Sequence, residues 1–155
     1  MRLLLIARGI RYHGAMFERL RFLAYALRFE RAFRTDRWEE VRASFHPDAT
    51  YTIEGSGTRF DGEYRSPDVI IDVLRRMLDE VDRKFDERAP RLRGWVAVRD
   101  GELTLPWKAR YSLGEQSMWL TGTSRCRWSG GKIIMLRDLM VADEVARWAK
   151  MVGVT

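Results

Sequence analysis

One carboxylate in this chain sits where a carboxylate is costly. Asp138 falls in the run Lys132-Ile133-Ile134-Met135-Leu136-Arg137-Asp138-Leu139-Met140, which alternates as a half-buried strand does. Side chains two apart share a strand face, so Asp138 is predicted to look the same way as Leu136 and Met140, into the core. Burial disfavours the charged form, which would raise its pKa and suit a general acid or base near neutral pH. An unpaired buried charge is expensive, so a partner is expected. Two roles stay open. Asp138 is the polar anchor or proton carrier for a small ligand, or it is bonded to Tyr51, Ser124 or an arginine and holds strands together.

The other chemistry-bearing residues are few. Tyr51 is a donor of inward parity on an earlier strand and is the second catalytic candidate. Ser124 has no histidine base within its pattern, so it reads as wall rather than nucleophile. Cys126, the single cysteine, reads as a small buried hydrophobe and excludes an internal disulfide. His13 and His46 lie off the predicted strands. No cluster has metal-ligand spacing and no dinucleotide or phosphate-loop fingerprint is present, so neither metal nor cofactor is expected. Aromatic and apolar residues of suitable parity complete a predicted pocket: Phe29, Trp38, Ile53, Phe60, Trp107, Tyr111, Leu136 and Met140, with Ser124.

These residues need elements to hold them. Ala15 to Arg34 has a helical pattern, with Leu20, Leu23, Leu27 and Phe22, Ala26, Phe29, Phe33 forming one broad apolar stripe. Asp36 with Glu39 resembles a capping box opening a short second helix that buries Trp38, Val41 and Phe45. Asp48 to Glu54 alternates as a strand, with Ala49, Tyr51 and Ile53 inward. Gly55 to Arg65 reads as a loop at the pocket lip, with Phe60 and Tyr64 as plugs. Ser66-Pro67-Asp68 starts a third helix running to about Lys84. Four strands follow, over 92–98, 102–113, 116–128 and 132–140, and then a helix over 142–152 capped by Asp143.

The 155 residues make one domain on length, and 46% hydrophobic residues supply an ample core. The apolar run Leu3–Ile6 is far too short to span a bilayer, and no membrane partner is expected. All of the net charge of +6 sits in residues 1–37, which carry nine arginines against Glu18, Glu30 and Asp36. Residues 1–14 are read as a basic N-terminal extension, with 15–155 as the domain. Nucleic acid is not expected as a partner, because the arm lacks interleaved aromatics and the basic excess is an arginine bias, 24 Arg to four Lys. A single cysteine is typical of a cytoplasmic protein.

Two motifs carry a resemblance. Phe45-His46-Pro47-Asp48-Ala49-Thr50 is similar to the F-x-x-D-A-T start of the first strand in the nuclear transport factor 2-like superfamily. Gly131-Lys132-Ile133-Ile134 followed by Arg137-Asp138 is similar to its final strand, G-K-I-x-x-x-R-D. The superfamily includes ketosteroid isomerases, limonene epoxide hydrolases, scytalone dehydratases and SnoaL-like polyketide cyclases. The resemblance covers about residues 16–152. It implies an α+β cone: three N-terminal helices on a strongly bent, mostly antiparallel sheet around a pocket, with a short C-terminal helix.

The known catalytic sets match poorly. Where ketosteroid isomerases have their base, tyrosine and protonated aspartate, this chain has Ile53, Phe29 and Ser124. Of the epoxide hydrolase set, Tyr51 and Asp138 fit, but Ile53 replaces the asparagine and 107–111 lack the Arg-x-Asp. The histidines of the dehydratases are absent. The resemblance therefore implies a pocket for a small apolar molecule, with cofactor-free proton transfer at Asp138 of isomerase, cyclase, dehydratase or hydrolase type. The alternative is a ligand-binding or dimerising domain without chemistry. A homodimer through the outer sheet face is expected, using Trp95, Trp119 and Arg125.

Overall fold

The computed structural model describes residues 15–154 in full and, of residues 2–14, only the helical backbone. The extension predicted at 1–14 otherwise lies outside the described residues. Four helices and seven strands follow the order α1 (Arg2–Thr35), α2 (Glu39–Arg42), β1 (Phe45–Glu54), β2 (Gly62–Arg65), α3 (Pro67–Glu80), β3 (Glu87–Leu92), β4 (Ala97–Arg99), β5 (Glu102–Leu113), β6 (Gln116–Ser129), β7 (Lys132–Met140) and α4 (Ala142–Met151). The sheet order is β2-β1-β7-β6-β5-β3, with β4 also on β5. Every pairing is antiparallel except β1 with β7, which is parallel. The long strands β5 and β6 run side by side from Glu102↔Arg127 to Leu113↔Gln116 and form the floor. This is the α+β cone, with a curved sheet left open between its β2 and β3 edges.

Several boundaries differ from the sequence reading, each for a local reason. Phe45 opens β1 rather than closing the second helix, because His46-Pro47 drives the backbone to an extended form. It still pairs with Ile133, and the register then shifts before Thr50, across the stretch where Pro47 has no N–H to give. Asp36 is not a helix cap. α2 starts at Glu39 behind Trp38, with no side-chain cap, and the Asp36 carboxylate instead accepts from the Trp38 indole N–H at 3.2 Å and from Arg83 at 2.8 Å. The predicted loop 55–65 contains β2, whose Tyr64 pairs with Tyr51. The single strand predicted over 92–98 is two strands: β3 begins at Glu87, and β4 follows a break in which Trp95 is 96% exposed. α4 is preceded by Val141, and Asp143 and Glu144 lie in its first turn. The Glu144 carboxylate accepts from both the backbone N–H and the hydroxyl of Thr121, both at 2.7 Å, which ties α4 to β6.

α1 carries the largest correction. Phe22, Tyr25 and Ala32 are buried, with Phe29 partly so, and this face packs on the core. Leu20, Leu23 and Leu27, predicted as part of the same stripe, point away and are exposed. The helix is apolar on two sides, and the sequence reading merged them.

Candidate functional site

β7 sets Asp138 directly across from Ser124 on β6 and beside Ile53 on β1. Tyr51 lies one inward step earlier on β1. The geometry follows from strand parity: four inward side chains from three adjacent strands converge. The Tyr51 hydroxyl donates to Asp138 Oδ2 at 2.8 Å, and the Ser124 hydroxyl donates to Asp138 Oδ1 at 2.5 Å. The Trp107 indole N–H donates to Ser124 Oγ at 3.1 Å. No basic side chain pairs with Asp138 among the described residues. Burial pushes its carboxyl above the ordinary carboxylate range, and the bonds from Ser124 and Tyr51 only partly offset that. Burial, helped by the nearby Asp138 charge, also raises the phenols of Tyr51 and Tyr25 well above the usual value.

Asp138, Tyr51, Ser124 and Trp107 stand on the wall of a partly enclosed cavity of about 220 Å³ between α1, α3 and the sheet. Of the predicted pocket residues, Phe29, Tyr111, Leu136 and Met140 also line it. Trp38, Ile53 and Phe60 do not. They are buried in the core behind the wall, and Trp38 packs edge-on against Phe29 with ring centres 6.0 Å apart. Inward parity put them inside the domain, but in a bent sheet only part of the inner face borders the cavity.

The sequence reading missed a second polar pole. Asp82, Arg88 and Glu30 also line the cavity, beside Tyr111. Arg88 Nη1 donates to both Glu30 carboxylate oxygens, at 2.7 and 2.9 Å, and its Nε donates to the Tyr111 hydroxyl at 3.3 Å. Tyr111 in turn donates to Asp82, whose carboxylate lies 3.5 Å from Arg88. Burial pushes the Asp82 carboxyl up, against the pull of Arg88 and Tyr111. Burial opposes the Arg88 charge too, but Tyr111, Asp82 and Glu30 outweigh it, so the guanidinium stays protonated. α3 ends at Glu80, and a 3-10 turn over Asp82–Lys84 rotates Asp82 inward. That rotation left no periodic signal. Tyr25 was also missed, although it sits three residues after Phe22 and four before Phe29, at helical spacing.

No protein-family model matches the chain, and no curated protein matches it. Solved structures do. A protein of unknown function from Burkholderia pseudomallei, described as ntf2-like, superposes with a TM-score of 0.62 at 15% identity, over 86% of this chain and 98% of its own. A Catenulispora acidiphila protein with a ketosteroid isomerase-like fold, in complex with trimethylamine, gives 0.62 at 12% identity, over 87% and 93%. A Shewanella putrefaciens protein described as a SnoaL-like polyketide cyclase gives 0.60 at 10% identity, over 82% and 84%. The fold is nuclear transport factor 2-like. At these identities the likeness carries the fold and nothing of the chemistry. Within this nuclear transport factor 2-like cone the cavity lies between helices and sheet, and what fills it depends on the two polar poles described above.

Proposed function

We propose that the cavity binds a small, mostly apolar molecule and that Asp138 moves a proton on it, without a cofactor. The observation that carries this reading is the part-buried Asp138 carboxyl on the cavity wall, held by two hydroxyls and by no cation among the described residues. Such a group takes and releases a proton nearer neutral pH than an ordinary carboxyl. The Tyr51 and Ser124 hydroxyls fix its orientation and can reverse their bonds when it is protonated, since a hydroxyl both donates and accepts. A cavity of about 150 Å³ holds benzene, so one of about 220 Å³ suits roughly one substituted ring. The Arg88–Asp82–Tyr111 pole favours a ligand with an oxygen function at the end remote from Asp138.

A thermal-shift screen with monoterpenoids and single-ring aromatic ketones tests this. A ligand at a hundred times its Kd adds about 2.7 kcal/mol, or roughly 5–10 °C in Tm. Asp138→Asn is expected to lower any turnover by about 10²–10⁴-fold. Full turnover in that variant would end the proton-transfer reading.

One observation favours a second reading, ligand binding without chemistry. Both Asp138 oxygens already accept a hydrogen bond, so the carboxyl is satisfied as it stands. A ligand that stabilises wild type and the Asn variant equally, with no turnover in either, would select it.

The raised pKa also makes a stability prediction. A carboxyl whose folded value lies above its unfolded value of about 3.9 binds its proton more tightly in the native state. Wild type therefore gains stability from this group as pH falls, and carries a penalty above the folded value. Asp138→Asn removes that penalty. The variant is expected to be the more stable protein at pH of about 8, with its advantage shrinking towards pH of about 4. Parallel melts that show a pH-independent difference would contradict it.

A homodimer through the outer sheet face remains part of the proposal. Trp119 and Trp95 are exposed, and Lys108 Nζ sits 4.6 Å from the Trp119 ring centre. Light scattering at micromolar concentration is expected to give twice 18.2 kDa, and a monomer would remove this part.

A further inference from the structure

α1 presents a second apolar face that the domain does not use. Met16, Phe17, Leu20, Leu23 and Leu27 are each between 50% and 58% exposed. Met16, Leu20, Leu23 and Leu27 are spaced 4, 3 and 4 residues apart, so they fall within roughly 60° of arc on a helix of 3.6 residues per turn. Phe17 and Ala24 widen the stripe on one side. Nothing among the described residues packs on it.

Arginines rim it. Arg21 and Arg28 follow one edge and Arg19 the other, with Arg31 towards the C-terminal end, and all four are exposed. Arg19 donates to the Val96 carbonyl, Arg28 to Ser44 and Arg31 to Glu40, each through one guanidinium nitrogen. Arg21 has no such partner among the described residues. The residues that precede on the same helix, 2–14, include Arg2, Arg8 and Arg11 and no acidic residue.

We propose that this face of α1 docks on an anionic lipid surface, lying in the plane of the interface. An interfacial helix needs a bulky apolar face flanked by basic side chains that reach the headgroups, and that is the pattern here. Charge decides against the other occupant, a second copy of this chain. A twofold pair sets the same patch against itself, so the arginine rims would face one another, and the acidic side chains beside them, Glu30 and Glu40, are already bonded to Arg88 and Arg31. Run length, the ground for expecting no membrane partner, bears on spanning helices alone, and none of the described helices is long and apolar enough to cross a membrane. Docking on the surface needs no such length. This inference stands independently of what the cavity holds.

The test is co-sedimentation of the full chain with vesicles of phosphatidylcholine alone and of phosphatidylcholine mixed with phosphatidylglycerol, at low and at physiological ionic strength. Wild type is expected to pellet with the mixed vesicles and to stay in solution with the neutral ones. The double variant Leu20→Glu, Leu23→Glu is expected to bind at least about tenfold more weakly, and Arg21→Gln about fivefold more weakly. Both changes are at exposed positions, and unchanged melting shows that the variants fold. Three results would overturn the proposal. Wild type fails to pellet with either vesicle. The leucine variant pellets as well as wild type, which would mean plain basic adhesion. Wild type is a dimer in light scattering that the leucine variant splits, which would give the face to a second copy.

Discussion

Replacing Arg88 by methionine is expected to cost about 3 kcal/mol of stability at neutral pH, because it leaves the buried Asp82 carboxylate without its main cation, while the part-exposed Glu30 adds little. At 155 residues each kcal/mol moves Tm by roughly 2–4 °C. The arithmetic of the cluster is what makes the effect large. Among the described residues Arg88 is the one cation bonded to both Glu30 and Asp82, and Asp82 is 7% exposed. Without it the Asp82 carboxyl, already raised by burial, loses the main influence holding it down. The pH dependence has a definite sign. The penalty is the cost of burying charge, so it falls as pH drops and the carboxyls take up protons. Adding Asp82→Asn to Arg88→Met is expected to recover part of the loss, and adding Glu30→Gln a little more. Urea melts at several pH values check all three. A loss below about 1 kcal/mol, the worth of a solvated surface pair, would mean that water reaches the cluster.

The fold was legible because its signals are local and mutually consistent. Alternation placed Tyr51, Ser124 and Asp138 on inner faces, and Asp138 indeed accepts its bonds from Tyr51 and Ser124. Parity tells in from out. It does not tell cavity wall from packed core, which is why Trp38, Ile53 and Phe60 were assigned to the wall while lying behind it. Helical periodicity failed in a different way on α1. With apolar residues on two sides, the sequence alone did not say which side meets the sheet, and Leu20, Leu23 and Leu27 were counted with Phe22 and Phe29. Asp82 and Arg88 were illegible for a third reason. A 3-10 turn and the early start of β3 bring them together, and neither element has a strong pattern. What the sequence hid is the pairing of charges across elements far apart in the chain, such as Glu30 with Arg88.

Gly122→Ala is expected to damage the Asp138 site without altering any of its polar side chains. Gly122 pairs with Trp107 across β5 and β6, and the indole covers the place where a side chain would be. A Cβ at residue 122 would come within 2.4 Å of Trp107 Cζ2, 2.7 Å of Cε2 and 2.9 Å of the Leu139 carbonyl oxygen. The backbone here is ordinary strand, so the glycine serves close approach rather than a special φ. Ala therefore has to displace the indole, and overpacking of this kind costs about 1–3 kcal/mol. The more telling consequence is chemical. Trp107 donates to Ser124 Oγ, and Ser124 donates to Asp138. Moving the ring takes away the donor that orients Ser124, and with it one of the two hydroxyls that hold the carboxyl. Trp107→Leu in the same background removes the collision with the ring and leaves only the contact with the Leu139 carbonyl, so Gly122→Ala is expected to cost less there, with a coupling of at least about 1 kcal/mol in the double-mutant cycle. Additive costs would mean that the indole had room to move, and that the chain from Gly122 through Trp107 and Ser124 to Asp138 is a set of neighbours rather than a support. A coupled result, with ligand stabilisation lost in Gly122→Ala and not restored in the double variant, would assign the indole two roles: covering the glycine and orienting the serine.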